Sequence, residues 1–173
     1  SGGYDAVISV HDATTGAQLQ TWNHWDSGLV RNVEIVGDQL LVVGGDAKLY
    51  DWDGAQFGES ASLSADSQAY AAAFKPGVIA LGKSDAGAGD VLVYRGSGSD
   101  WSLAQTITFP FTGAITLDPY ELSFALGGRL VATGETSEQA AIVYKEENEG
   151  AADVPVFVEE YSIARTYGTY QSS

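Results

Sequence analysis

The stretch VEIVGDQLLVVGGDAKLYDWDGAQFGESASL, residues 33–63, decides the fold of this chain. Its apolar runs are short, and turn-forming groups separate them: Gly37-Asp38, Gly44-Gly45-Asp46 and Asp53-Gly54. Short apolar runs punctuated by Gly and Asp indicate strands and not helices. The stretch therefore predicts four short antiparallel strands. One sheet of this size cannot bury both of its faces alone, so it needs neighbours.

The third strand of this unit recurs three more times along the chain. An apolar residue followed by a tyrosine or histidine marks each copy, and the four copies are Val10-His11, Leu49-Tyr50, Val93-Tyr94 and Val143-Tyr144. Successive copies lie 39, 44 and 50 residues apart. The strand before it recurs as apolar runs that stop at a glycine, LLVVGG at 40–45, VIALGK at 78–83 and LVATGE at 130–135. A period of about 40–50 residues with four strands per unit is typical of propeller blades.

On these residues the chain resembles the WD-repeat β-propellers, whose blades end the third strand in a Trp-Asp or similar pair. The corresponding places here read VHD at 10–12, YDWD at 50–53, VYR at 93–95 and VYK at 143–145, so every copy departs from the pattern. His24 is the remnant of the Gly-His pair that such repeats carry. Blades built from FG-GAP or quinoprotein-type repeats look similar. The resemblance spans nearly the whole chain and implies loops on two flat faces that bind proteins.

The predicted fold class is all-β, a β-propeller segment of about three and a half four-stranded antiparallel blades. The predicted units are a half blade at 1–28, blades at 29–66, 67–112 and 113–164, and a tail at 165–173. The half blade has strands at 6–11 and 17–22 only. The third unit has strands near 70–75, 78–82, 90–95 and 101–109, with a turn lengthened by an insert at 84–89. The fourth has strands near 121–126, 129–134, 140–145 and 156–163.

Composition excludes several classes of protein. The 173 residues suit one domain, and the absence of cysteine excludes a disulfide framework and zinc–thiolate sites. A formal net charge of −15 disfavours nucleic acid and anionic membranes as partners. No run of apolar residues is long enough for a transmembrane helix. Because the chain begins Ser1-Gly2-Gly3 without methionine, we expect a processed form or an internal piece, and we favour an extracellular or cell-surface location over a cytoplasmic one.

The two histidines invite a comparison with Ser-His-Asp chemistry, since Asp12, Asp26 and Ser27 are close to them in sequence. No Gly-x-Ser-x-Gly elbow accompanies them, and a catalytic triad is defined by geometry rather than by proximity in sequence. We therefore expect both to be structural, His11 in the repeated strand and His24 in the link between the first two units. No catalytic residue is predicted.

Three acidic stretches could hold a cation, and each has a simpler interpretation. Asp51-Trp52-Asp53-Gly54 resembles the start of a calcium loop but lacks enough oxygen ligands, so a turn with aspartate bonding local amides is predicted. We expect residues 85–90, with Asp85 and Asp90, to form a solvated hairpin loop. We expect Glu146 to Gly150 to be a loop tip kept in water. Gly87-x-Gly89 does not continue into a dinucleotide fingerprint. No metal or cofactor site is predicted.

The function predicted from these features is a non-catalytic scaffold for protein–protein interaction or assembly, part of a larger ring or polypeptide. The expected partner is protein, either the remaining blades of the same chain or another subunit. Two alternatives remain open. One is a structural component of a secreted or cell-surface polymer or coat, and the other is a fragment of a propeller enzyme with a central active site. The step from fold to function rests on analogy.

Overall fold

The structure is a computed structural model that describes residues 6–24, 29–63, 69–85, 88–108, 119–125, 128–134, 138–147 and 157–166. These residues form fourteen strands and no helix, in one two-stranded and three four-stranded antiparallel sheets. The predicted all-β fold with three four-stranded sheets after a half unit is therefore confirmed. Within the same ranges no helix is long and apolar enough to cross a membrane.

The strands follow one another in each sheet in the order of the sequence. The first sheet holds β1 (Val7–His11) and β2 (Gln18–Asn23). The second sheet holds β3 (Asn32–Val36), β4 (Gln39–Gly44), β5 (Asp46–Trp52) and β6 (Phe57–Ser62). The third sheet holds β7 (Ala69–Lys75), β8 (Val78–Asp85), β9 (Ala88–Ser97) and β10 (Asp100–Thr108). The fourth sheet holds β11 (Pro119–Ala125), β12 (Arg129–Gly134), β13 (Glu138–Glu146) and β14 (Phe157–Thr166).

A β-bulge at the same place in all four sheets confirms the repeat that the sequence pattern predicts. The pairing shifts register at the apolar-aromatic pair of the repeat, at Val10/His11, Leu49/Tyr50 and Val143/Tyr144, and opposite Val93/Tyr94 in the third sheet. The outer strand carries one extra residue there. This common register identifies β1 and β2 with the third and fourth strands of a full sheet. Among the described residues, the first sheet has no counterpart of the inner pair of strands.

A hydrophobic core fills each junction between consecutive sheets. Ile8 packs with Leu40, Val42 and Tyr50 between the first and second sheets. The second and third sheets share a larger core that includes Leu41, Val43, Leu49, Phe74, Ile79 and Leu81. The third and fourth sheets share another core that includes Val78, Val91, Val93, Leu130, Ile142 and Phe157. β7 lies between β3 and β11, so the inner strands of neighbouring sheets are adjacent in a blade-like arrangement.

Two parts of the predicted strand map are wrong in extent. The insert at 84–89 was expected to be a loop, but Ser84 pairs with Gly89 and Asp85 with Ala88. The antiparallel ladder continues through the insert because each added pair supplies partners for backbone groups. At the other end, β14 runs to Thr166, so the first two residues of the predicted tail belong to the fourth sheet. Residues 167–173 lie outside the described ranges.

Candidate functional site: the junctions between sheets

His24 joins the first sheet to the second through two side-chain hydrogen bonds, and its backbone bonds to the residue before β1. Its side chain is buried, with 4% of the residue exposed. The backbone N–H donates to the carbonyl of Ala6, Nδ1 lies 3.0 Å from the Tyr50 hydroxyl, and Nε2 lies 3.4 Å from the Asp46 carbonyl. Burial lowers the pKa of His24 and raises that of Tyr50. A neutral imidazole fits these contacts, because it donates to the carbonyl and accepts from the phenol. His24 thus lies at the link between the first two units, as the sequence predicts.

The other members of the suspected triad are occupied elsewhere or lie outside the described residues. His11 is exposed, and its Nδ1 lies 3.2 Å from the Gly16 carbonyl. One Asp12 carboxylate oxygen accepts from the amides of Thr14 and Thr15 and from the Thr15 hydroxyl, which lowers the pKa of this aspartate. Asp26 and Ser27 are outside the described ranges. The described side chains near the histidines thus form a turn and a junction between sheets.

Asp53 forms the local turn that the sequence pattern predicts. Its Oδ1 accepts from the amides of Ala55 and Gln56, each at 2.8 Å, and these bonds lower the pKa of the carboxyl. Asp51 instead accepts from the Gln39 side chain on the neighbouring strand at 2.8 Å. The two carboxylates therefore serve different partners. In the described part of the chain, no group of three or more His, Cys, Asp or Glu side chains is placed to hold a metal ion.

Residues 85–90 do not form the isolated loop that was expected. Asp90 lies within β9, where its backbone pairs with Lys83 of β8 and with Thr108 of β10. The backbone of Asp85 pairs at the end of β8, and its side chain is outside the described set. Residues 86 and 87 are likewise outside it. The two aspartates are thus separated by the hairpin and belong to paired strands.

Glu146 contradicts the prediction of a solvated loop tip. It is the last residue of β13, and its side chain is only 4% exposed. One carboxylate oxygen lies 2.5 Å from Lys75 Nζ and the other 2.5 Å from Arg95 Nη2. Lys75 and Arg95 belong to the third sheet, so this ion cluster ties the third sheet to the fourth. A buried carboxylate needs such partners because its desolvation is unfavourable.

Two aromatic rings complete the surroundings of this ion cluster. Lys75 Nζ lies 5.1 Å from the centre of the Phe124 ring and 5.9 Å from that of Phe157, within the range of cation–π attraction. Both rings belong to the fourth sheet. The residues of the ion cluster and the two rings come from positions far apart in the chain. The local sequence around Glu146 shows only that this residue is charged. No local pattern could have identified this cluster.

A glutamine side chain binds the backbone of the next sheet at two of the three junctions. The Gln20 side chain donates to the carbonyl of Phe57 at 2.9 Å and accepts from its amide at 2.7 Å. Gln105 makes the same pair of bonds to Phe157, each at 2.8 Å. By the bulge register, Gln20, Ala61 and Gln105 are equivalent residues of the outer strands. We call the Gln20–Phe57 and Gln105–Phe157 contacts the glutamine staples.

Aromatic residues pack at the junction between the first and second sheets. The Trp22 ring lies 5.2 Å from that of Tyr50 and 6.5 Å from that of Phe57, and Trp52 lies 5.0 Å from Phe57. Such contacts add to the stabilisation from buried area. In the fourth sheet Tyr144 takes the place of Tyr50, and burial raises its pKa to about 12. Trp25 is outside the described residues.

Several described polar side chains of the interior therefore connect one sheet to the next. The imidazole, the two glutamine staples and the ion cluster each connect consecutive sheets, in the order of the chain. These hydrogen bonds and ion pairs are contacts that hold one sheet of strands against the next. Comparisons with known proteins add no relationship: no family model matches the chain, and no curated protein matches it.

Proposed function

We propose that this chain is a non-catalytic β-propeller scaffold for protein–protein interaction or assembly, and part of a larger ring or polypeptide. WD-repeat-like blades are the repeat type that the sequence pattern favours. The observation that carries the proposal is the first sheet, which has two strands in the described part of the chain. It offers two strands to the second sheet where every later junction is built from two four-stranded sheets.

The architecture supports a role in association because each sheet depends on its neighbours. The stability of a repeat array is approximately the sum of the individual repeats and the interfaces between neighbours. An uncovered face of a few hundred Å² forgoes on the order of 5–10 kcal/mol at about 25 cal/mol per Å². This loss is comparable to the whole stability of a domain. Protein is therefore the expected partner, supplied by the same longer chain or by a second subunit.

Analytical ultracentrifugation of the 173-residue chain together with a thermal melt tests the proposal. The chain alone is expected to oligomerise, aggregate or melt at low temperature, because an open array lacks interfaces at its ends. A well-folded monomer that resists heating would contradict the proposal and would favour a small closed ring. Measurements at several protein concentrations separate the outcomes, since association makes the apparent stability depend on concentration.

A further inference from the structure

His24 is a buried titratable group placed where the first sheet meets the second. It directly follows β2, which ends at Asn23, and its side chain reaches the Tyr50 hydroxyl and the Asp46 carbonyl of the second sheet. Its backbone amide donates to the carbonyl of Ala6, just before β1. One residue thus ties the end of β2 and the start of β1 to the second sheet.

This position of His24 suits the neutral imidazole and not the protonated one. When Nε2 donates to the Asp46 carbonyl, Nδ1 accepts from the Tyr50 hydroxyl, and a proton on Nδ1 removes that acceptor. A charged ring is also unfavourable at a site where the residue is only 4% exposed. An imidazole in water has a pKa of about 6.5, and burial lowers the pKa of His24. Acid therefore favours any state of the chain in which His24 reaches water.

The charged groups around His24 do not reverse the effect of burial. The bond to the Asp46 carbonyl and the charges of Asp46 and Glu59 favour the protonated ring, whereas Lys48 opposes it. Lys48 and Glu59 form an ion pair at 2.9 Å, so their effects on the imidazole oppose each other. The strands β1 and β2 contain no Asp, Glu, Lys or Arg, and the other histidine, His11, lies at the far end of β1.

The first sheet contributes few apolar side chains to its junction. Ile8 and Trp22 are its described members of the core that contains Leu40, Val42 and Tyr50. The third sheet contributes more buried residues to its core with the fourth sheet, namely Ala71, Ala73, Val78, Ala80, Val91 and Val93. Local opening occurs most readily where few buried contacts must be broken. The junction that contains His24 is therefore the one that a single proton can open.

We propose that protonation of His24 is a switch that releases the first sheet from the second. In the released state Leu40, Val42 and Tyr50 lose the cover that Ile8 and Trp22 provide. The remaining sheets stay together, because the residues described in their two cores lie in or after the second sheet. The switch thus exposes an apolar surface of the second sheet as the pH falls below about 6.5 and covers it again as the pH rises.

Two neighbouring valines of β4 offer a matched pair of reporters. Val42 and Val43 are both 0% exposed, but Val42 belongs to the core against the first sheet and Val43 to the core against the third. The chain has no cysteine, so Val42→Cys and Val43→Cys each introduce a single thiol. The thiols are labelled between pH 7 and pH 5 with a pyridyl disulfide, which reacts at acid pH. Each rate is divided by that of the urea-unfolded variant at the same pH, which removes the pH dependence of the labelling reaction itself.

The relative labelling rate of the Val42→Cys variant should rise by about tenfold from pH 7 to pH 5, because one proton can change the open fraction by at most about tenfold per pH unit. The rate of the Val43→Cys variant should change by less than about twofold, because its core does not depend on the first sheet. No rise in the first variant would overturn the proposal. An equal rise in both would also overturn it, since it would show a general loosening of the chain.

Replacement of each histidine in the Val42→Cys chain tests whether His24 is the proton acceptor. The amide of His24→Gln can donate and accept as the neutral ring does but takes up no proton, so labelling should lose its pH dependence. His11→Gln changes the exposed histidine and should keep the rise. A rise that persists in His24→Gln would overturn the proposal.

A titration with both histidines in place decides the case in which His24→Gln releases the first sheet at every pH. The imidazole signals of the Val42→Cys chain are followed by NMR, and the His11→Gln spectrum identifies that of His24. The labelling rate should begin to rise below about pH 6.5 and level off where the His24 signal titrates. A rate that levels off at another pH would assign the opening to a different group and overturn the switch.

Discussion

Glu146 is the residue whose environment departs furthest from what its local sequence indicates. The run KEENEG at 145–150 has the composition of a solvated loop, yet the carboxylate of Glu146 is buried between two cations of the preceding sheet. Exposed Glu147, its neighbour, fits the expectation. The difference is decided by strand register: β13 continues to Glu146 because this residue pairs with Phe157.

Replacement of Glu146 by glutamine should destabilise the chain strongly. The substitution keeps the shape of the side chain but leaves Lys75 and Arg95 as a partly buried pair of like charges. Breaking a buried ion pair by removing one partner typically costs about 3–5 kcal/mol, and partial exposure of the cations places this case at the lower end of that range. Urea unfolding followed by circular dichroism measures the loss. Glu147→Gln is the matched control and should leave the midpoint nearly unchanged. A similar small shift in both variants would contradict the buried cluster.

His24 should make the stability fall as the pH is lowered from 7 to 5. Its pKa in the folded chain lies below the usual 6.5, chiefly because of burial, so the unfolded chain binds a proton that the folded chain does not. The contribution of neutral His24 to the stability is therefore fully present above about pH 6.5. It decreases as the pH falls toward the pKa of His24 in the folded chain. Burial raises the pKa of Glu34, so the folded chain holds a proton on this carboxyl more readily than the unfolded chain does. Just above the ordinary pKa of glutamate, this effect makes the stability rise as the pH falls, which opposes the effect of His24.

A comparison of variants isolates the contribution of His24. His24→Gln cannot take up the proton, so the difference in unfolding free energy between pH 7 and pH 5 should be smaller than in the unmodified chain. Because Glu34 is present in both proteins, its effect cancels in this difference. His11→Gln changes the exposed histidine and should keep the loss at acid pH. Chemical unfolding at both pH values provides the numbers. An undiminished loss in His24→Gln would show that another group is responsible.

At the scale of the strand, the outer strands differ in how they bind the next sheet. β2 and β10 carry the glutamine staples, while the equivalent residue of β6 is Ala61, which packs into the core between the second and third sheets. That junction is joined instead by a backbone bridge from Gly45 to Ala69 and by a bond from the Asn32 side chain to the Ala72 carbonyl. Consecutive sheets are thus held by different polar contacts on the same repeated frame.

Loss of a staple should destabilise the chain by more than loss of an ordinary surface glutamine. Gln20→Ala removes two hydrogen bonds to the Phe57 backbone, each with a net value of about 0.5–1.5 kcal/mol, so a loss of about 1–3 kcal/mol is expected. Gln18→Ala on the same strand is the matched control, because Gln18 is exposed. Differential scanning calorimetry compares the two variants. Equal melting temperatures would mean that solvent replaces the staple without loss.

At the scale of the whole molecule, acidic residues greatly outnumber basic ones. Twenty-three acidic residues face eight basic ones, and several of the basic ones are committed to ion pairs between strands or sheets. The unpaired acidic surface repels itself and opposes the compact state. Salt shortens the range of this repulsion to about 8 Å at physiological ionic strength.

Added sodium chloride should therefore raise the melting temperature of the chain. The expected increase occurs between low and physiological ionic strength, where exposed charges become screened, and sodium sulfate at equal ionic strength separates screening from salting-out. Differential scanning fluorimetry across a salt series measures it. The Glu146 cluster is buried and should be little affected, so Glu146→Gln should show the same rise. A melting temperature that falls with salt would mean that favourable ion pairs outweigh the repulsion.

The strands and their repetition could be predicted because the responsible signals are local. The apolar runs, the glycine turns and the pair at Leu49-Tyr50 act over a few residues, and the bulge follows that pair in every sheet. The turn at Asp53 was predicted for the same reason, because the carboxylate binds amides two and three residues later. The contacts of His24 are not local, since its side chain meets residues 22 and 26 positions later in the chain.

The contacts between sheets were decided only by the tertiary structure. Glu146 meets cations 51 and 71 residues earlier in the chain, and Gln20 binds a backbone 37 residues later. The repeat period of the sequence does not encode these pairs, because they depend on how one sheet packs against the next. Ile35 makes the same point: it occupies the place of Phe74 in an equivalent strand, yet one is exposed and the other buried. In the described residues the preceding sheet has two strands for Ile35 and four for Phe74. The strand pattern predicted these numbers, but only the packing shows the difference in exposure.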